Sequence, residues 1–216
     1  MSLILQYHPL ASFCWKVLIA LYENETAFEP RLVNPGDPDS RAAFAALWPV
    51  AKMPVLEDRA RGAAVPETSV IIDYLDAHYP GPVRFVPEDP ERARKVRLWD
   101  RIYDLYVQVP MQKIVGDRIR PEGRRDPFGV AEARTLLATA MDMVEREVAG
   151  KAWATGEAFT LADCAAAPAL FYADKVMPLQ GAYPNALALL ERLKTRPSFA
   201  RVLDEAEPYF QYFPSE

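Results

Sequence analysis

The sequence predicts a small α/β domain followed by an all-helical one, and three observations carry that prediction. Strand-length apolar runs alternate with amphipathic helical stretches through residues 1–80. A proline-dense segment, Pro80-Gly81-Pro82 through Pro87-Glu88-Asp89-Pro90, then interrupts the chain. Beyond it no stretch shows the two-residue alternation of a strand, and helical spacing runs on to the end.

Leu3-Ile4-Leu5-Gln6-Tyr7 is a short apolar run ended by His8-Pro9 and reads as a buried strand. Ser12 opens a helix through Trp15, Val17, Leu18, Ile19, Leu21 and Tyr22 that closes at Asn24. Residues 28–33 form a second strand, and Pro30 within it points to a sheet edge. A short helix over residues 41–47 follows. Residues 53–57 and 63–65 then read as two strands joined by the polar turn Arg59-Ala60-Arg61-Gly62. A third helix covers residues 67–78, apolar at Val70, Ile71, Tyr74 and Leu75. The order β-α-β-α-β-β-α predicts a mixed sheet with helices on both faces. After the linker, residues 91–115 read as one long helix with Pro110 as its kink. Further amphipathic helices cover residues 130–148, 161–172, 185–193 and 198–205.

Composition narrows the function. A net charge of -5 and a pI near 5.2 give no electrostatic basis for binding nucleic acid. Arg118, Arg120, Arg124 and Arg125 form a local patch, read as a solvated loop. No stretch approaches the roughly 20 apolar residues that a membrane span needs. The start, Met1-Ser2-Leu3-Ile4-Leu5, lacks the basic residues and the cleavage site of a signal peptide. Cys14 and Cys164 are too few for a disulfide framework, and with His8 and His78 far apart they offer no metal constellation. These features point to a reducing cytoplasm.

Four local features carry chemistry. Ala11-Ser12-Phe13-Cys14-Trp15-Lys16-Val17 spans the junction of the first strand and first helix, where backbone N–H groups favour an anion or a thiolate. The plain structural alternative is Ser12 as a helix cap. In Lys52-Met53-Pro54-Val55-Leu56, a proline opening a strand indicates an edge or a cis peptide bond. The cis form would leave the Met53 backbone able to pair with an extended peptide ligand. Pro66-Glu67-Thr68-Ser69 opens a helix with an acid and a hydroxyl, a pair suited to an amino-acid head group as well as to capping. Phe159-Thr160-Leu161-Ala162-Asp163-Cys164 has Thr160 and Asp163 at capping-box spacing and reads as structural, with Cys164 an inert core thiol.

In this order and on this architecture, the four features resemble the cytosolic glutathione-transferase family. That family carries a Ser, Tyr or Cys near the start of the first helix of a thioredoxin-like domain. A V-P dipeptide with the proline in cis follows, then an E-S pair opening the third helix, and an S/T-x-x-D capping box in the helical domain. Ser12, Cys14-Trp15-Lys16-Val17 and Ile19-Ala20-Leu21 are similar to the S-x-W-R-V-x-I-A-L run of the zeta class and its bacterial relatives. The resemblance covers essentially the whole chain. It implies a thioredoxin-like glutathione-binding domain over residues 1–80, a linker over 81–90 and an all-helical domain over 91–216. It also implies a homodimer, with glutathione as co-substrate, an electrophilic small molecule as second substrate and no metal.

Carried over by position, Lys52 approaches the glycyl carboxylate of glutathione, and the Met53 backbone beside a cis Pro54 pairs with the cysteinyl unit. Glu67 and Thr68 hold the γ-glutamyl head. The position of the family's catalytic hydroxyl or thiol falls on Ala11, which has neither. Ser12 is the nearest substitute and ranks first. Tyr7, at the spacing of the tyrosine of the alpha, mu and pi classes, ranks second. Cys14, aligned with the second cysteine of a C-x-x-C whose first member is missing, ranks third. The second substrate is expected over Tyr103, Tyr106 and neighbouring apolar residues of the first long helix, with a core or interface role for the two tyrosines as the alternative. Zeta-like features also raise cis–trans isomerisation of a maleyl-type acid, and the missing hydroxyl at Ala11 allows a glutathione-binding protein with little turnover.

Overall fold

The structure, a computed structural model, describes residues 2–214. Met1, read above with the first strand, lies outside the described residues, as do Ser215 and Glu216 at the end of the helical part.

The first half runs β1 (Leu3–Tyr7), α1 (Ser12–Glu23), β2 (Glu29–Leu32), α2 (Pro38–Leu47), β3 (Val55–Asp58), β4 (Ala63–Pro66) and α3 (Thr68–His78). The strands form one sheet in the order β2-β1-β3-β4. β1 is parallel to β2 and antiparallel to β3, and β3 is antiparallel to β4. β2 sits at the edge, where Pro30, having no N–H to donate, is tolerated. The side-chain period of two sorts the sheet residues. Leu3, Leu5 and Leu56 join the main core with α1 and α3, while Val33 and Val55 pack with Phe44 of α2 on the other face.

β3 begins at Val55, two residues later than the sequence predicts. Its register with β1 and β4 starts there, so the Met53 N–H and C=O lie outside the ladder. The Met53-Pro54 peptide bond is cis.

The second half is helical throughout: α4 (Pro90–Ile102), α5 (Val109–Arg118), α6 (Pro127–Val148), α7 (Leu161–Val176), α8 (Pro184–Lys194) and α9 (Pro197–Ala206). The expected single helix over 91–115 is interrupted by a π-helical turn, Tyr103–Gln108. The Val109 N–H reaches back five residues to the Asp104 carbonyl. This wider turn lies directly before Pro110, which has no N–H for the carbonyl four residues earlier. α7 runs on to Val176, past the expected end at residue 172, with Pro168 inside it. Pro38, Pro90, Pro127, Pro184 and Pro197 each stand in the first turn of a helix, where the missing N–H costs nothing. Several helices therefore start earlier than apolar periodicity indicates. After α9 a 3₁₀ turn, Glu207–Tyr212, brings the end of the chain back toward β1.

α1 is shared by both halves. It packs against α3, and its other side meets α7 and α9. Trp15, fully buried, stacks at 4.8 Å on Tyr172, 5.1 Å on Phe171 and 5.9 Å on Phe199. The proline-dense connection is pinned to both halves: the Asp76 carboxylate accepts from the Phe85 and Val86 N–H groups, and the Phe85 carbonyl accepts from the Leu161 N–H.

Candidate functional site

The loop between β1 and α1 is held from below. The Trp15 indole donates to the Pro9 carbonyl, and the Tyr172 hydroxyl donates to the Leu10 carbonyl at 3.0 Å. Both donors come from the shared core, so the loop is fixed relative to both halves of the molecule. Above it opens a cleft of about 550 Å³ between the sheet domain and α4–α5.

Lys52, Met53, Pro54, Glu67 and Thr68 all line this cleft, so the loop before β3 and the start of α3 converge on it. Glu67 caps α3 with φ at 68°, in the left-handed region that a non-glycine residue rarely occupies. Such backbone strain is typical of residues held in place for binding. Ala11 lines the cleft at the start of α1 and supplies no side-chain cap. The Cys14 N–H donates to the Ala11 carbonyl at 2.8 Å, which leaves the Ser12 and Phe13 N–H groups, uncapped by any side chain, able to meet an anion.

The three candidate catalytic side chains lie behind this surface. Ser12 is the first residue of α1, not its cap, and is 4% exposed. Its Oγ accepts from the Gln112 amide at 3.3 Å, and Gln112 itself lines the cleft. Tyr7 is half-buried, and its phenol is pushed up by burial, then by Glu205, Tyr209 and Cys14. Cys14 is fully buried, and burial pushes its thiol up to about 12, so it stays protonated at neutral pH. None of the three lines the cleft.

On the opposite wall the neighbouring apolar residues Leu105 and Val109 line the cleft, whereas Tyr103 and Tyr106 do not. Tyr103 is fully buried in the core, and Tyr106 is exposed but outside the cleft.

Two features escaped sequence reasoning. Beneath the α3 start lies a charged cluster centred on Lys16, 1% exposed. Its ammonium contacts Asp104 at 2.7 Å and Ser69 Oγ at 3.0 Å, and it pairs with Asp100. Ser69 donates to Asp100 at 2.7 Å, and Arg101 closes the cluster from the cleft side by pairing with Asp104. Burial raises the Asp104 carboxyl, and the Lys16 charge opposes that shift. The cluster ties α1, α3 and α4 together behind the cleft, and Arg101 and Asp104 also line it. The sequence shows Lys16 only as a basic residue within a motif, with its partners more than fifty positions away. The second feature is His8, which lines the cleft beside Leu10.

Comparison with known proteins agrees with this geometry. The family model for the glutathione S-transferase N-terminal domain matches residues 6–83, and that for the C-terminal domain matches residues 127–192. The glutathione S-transferase-like protein LUC7 of Fusarium sp is 29% identical over 163 residues, spanning 74% of this chain and 72% of that protein. A probable maleylacetoacetate isomerase of Caenorhabditis elegans is 24% identical over 201 residues, spanning 92% of this chain and 91% of its own length. Among solved structures, a glutathione S-transferase of Methylobacillus flagellatus with glutathione bound superposes with a TM-score of 0.86 at 25% identity, covering 93% of this chain and 98% of that one. One from Methylobacterium radiotolerans, in complex with glutathione sulfonate, gives 0.83 at 28% identity, with 93% of each chain covered.

Proposed function

Because the chain belongs to the glutathione S-transferase family, we propose that it binds glutathione in this cleft and activates the thiol for attack on an electrophilic small molecule. The observation that carries the reading is the convergence of Lys52, Met53, Pro54, Glu67 and Thr68 on one cleft at the bare N-terminus of α1. Lys52 takes the glycyl carboxylate as a compact cation. The unpaired Met53 backbone takes the cysteinyl amide, strand to strand. Glu67 and Thr68 take the γ-glutamyl ammonium and carboxylate.

The cysteinyl sulfur then faces Ala11 and the first turn of α1. The α1 amides and a hydrogen bond from Ser12 stabilise the thiolate, and the thiol proton passes to solvent. Lowering the thiol pKa by one to two units corresponds to about 1.4 to 2.7 kcal/mol. Ser12 suits this role because its Oγ already accepts from Gln112, which leaves its hydrogen for the sulfur. Tyr7 is the rival donor. Cys14 stands third, because its buried thiol can serve only as a weak donor. The sulfur attacks the electrophile over Leu105 and Val109, and the leaving group departs or the adduct is protonated.

Retention on immobilised glutathione, with conjugation of 1-chloro-2,4-dinitrobenzene, tests the reading. Binding without turnover on a broad electrophile panel would leave a glutathione-binding protein instead. Glutathione-dependent cis–trans isomerisation is a second reading, supported by the Caenorhabditis elegans relative, and assay with a maleyl-type acid separates it from conjugation. We also propose a cytoplasmic homodimer, checked by sedimentation at twice the 24.3 kDa chain mass.

A further inference from the structure

We propose that His8 is a specificity-determining residue, a neutral N–H donor that selects electrophiles whose reacting carbon is conjugated to a carbonyl oxygen. The inference rests on the transferase reading above and adds to it a substrate class.

In that reading Lys52, Met53, Glu67 and Thr68 are taken by glutathione. Arg101 and Asp104 are paired with each other, and the Gln112 amide donates to Ser12. His8 also lines the cleft, beside the apolar groups Leu10, Phe13, Leu105 and Val109, and unlike Arg101 and Gln112 it has no side-chain hydrogen-bond partner among the described residues.

Its state is set by the backbone. His8 Nδ1 accepts the Leu10 N–H at 3.2 Å. A ring nitrogen that accepts a hydrogen bond carries no proton, so the neutral ring holds its proton on Nε2. Protonating Nδ1 would set two donors against each other, and partial burial lowers the His8 pKa, which disfavours the cation further. The groups packed around the ring add no opposing charge. Tyr209 meets it edge-on at 6.0 Å, Tyr7 precedes it in β1, and Cys14 is a neutral thiol. Nε2 has no protein acceptor among the described residues. His8 is therefore a fixed N–H donor in an apolar setting.

Such a donor serves a reaction that develops negative charge on oxygen. When the glutathione thiolate adds to the β-carbon of an enone, the carbon–sulfur bond forms, the alkene pair shifts to join the α-carbon and the carbonyl carbon, and the carbonyl π pair moves onto oxygen. The resulting enolate oxygen takes the Nε2–H hydrogen bond, and the α-carbon then accepts a proton from water. The same oxyanion forms in reversible addition to a cis-enone, so the assignment holds for both readings above. Removing one oxyanion donor typically costs about 10²–10³ in turnover. Displacement at a benzylic carbon develops no such oxygen charge and gains nothing from His8.

The experiment compares 4-phenyl-3-buten-2-one with benzyl chloride for wild type, His8→Leu and His8→Gln, with glutathione affinity measured alongside. We expect His8→Leu to lower kcat/KM at least tenfold for the enone and less than twofold for benzyl chloride. His8→Gln, which keeps an N–H donor, should recover part of the enone rate. Equal losses on both substrates, no loss on the enone, or a wild type active only on benzyl chloride would each overturn the assignment while leaving the transferase reading intact. A wild type that binds no glutathione would overturn the transferase reading and this one together.

Discussion

At the scale of the residue, Glu67 combines an acidic side chain in the cleft with a left-handed backbone that only a well-determined surrounding would hold. If its carboxylate receives the γ-glutamyl ammonium, Glu67→Ala removes a charge-assisted hydrogen bond worth about 1.5 to 3 kcal/mol. That corresponds to roughly a ten- to 150-fold rise in the glutathione Kd, and calorimetry showing an unchanged Kd in a folded variant would refute the contact. Ser12 is tested through the thiol. Ser12→Ala should raise the pKa of bound glutathione, followed by thiolate absorbance in the ultraviolet, and lower turnover tenfold or more while glutathione still binds. Tyr7→Phe, which removes only the rival hydroxyl, should leave both unchanged. A raised thiol pKa in Tyr7→Phe alone would move the role to Tyr7. No shift in either variant would leave the α1 amides as the sole stabilisers.

At the scale of the element, the start of α7 shows how a local motif acquires a larger role in context. Thr160 and Asp163 form the capping box that their spacing predicts. Asp163 is also fully buried, and its carboxylate accepts from the Ala154 N–H at 2.7 Å as well as from the Thr160 N–H and hydroxyl. Sequence alone suggests a cap worth about 1 kcal/mol. Removing this carboxylate leaves two buried N–H groups unpaired at about 1 to 3 kcal/mol each, so Asp163→Ala should destabilise well beyond a simple cap while activity per folded molecule is kept. Burial pushes the Asp163 carboxyl up to about 6 from 3.8, against the hydrogen bonds that lower it. The folded chain thus holds a proton that the unfolded chain releases in that window. The stability this group confers is fullest below pH 3.8 and is lost as pH rises through about 6. Urea titrations should show the gap between wild type and Asp163→Ala narrowing from pH 4 to pH 7, and a constant gap would show that the carboxyl titrates at its ordinary value.

At the scale of the whole molecule, what was legible followed sequence distance. β1, α1 and α3 announce themselves through short apolar runs with turn residues at their ends, and the cleft residues Lys52, Met53, Pro54, Glu67 and Thr68 are readable because each sits in a local motif. The π-helical turn was not readable, because Tyr103 and Tyr106 fit an α-helical period until Pro110 forces the backbone to widen. Nor were the pairings of Ser12 with Gln112 and Lys16 with Asp104, which join α1 to the π turn and α5 and exist only once the two halves have docked. That docking yields the last prediction. Lys16 stands in the middle of the helix both halves share, with its charge answered by Asp100 and Asp104 from the helical half. Lys16→Met keeps the length and apolar stem but leaves two carboxylates facing one another with only the half-exposed Arg101 for compensation. Removing one partner of a buried pair typically costs about 3 to 5 kcal/mol, a large share of a domain's stability. Because Trp15 of the same helix packs into α7 and α9, the loss should fall on both halves at once. Helical circular dichroism and tryptophan fluorescence should therefore shift together to lower urea in Lys16→Met, as one transition. Adding Asp104→Asn should recover part of the loss by removing one unanswered charge. Two separate transitions, with only one of them moved, would mean that the halves fold independently and that the Lys16 cluster does not couple them.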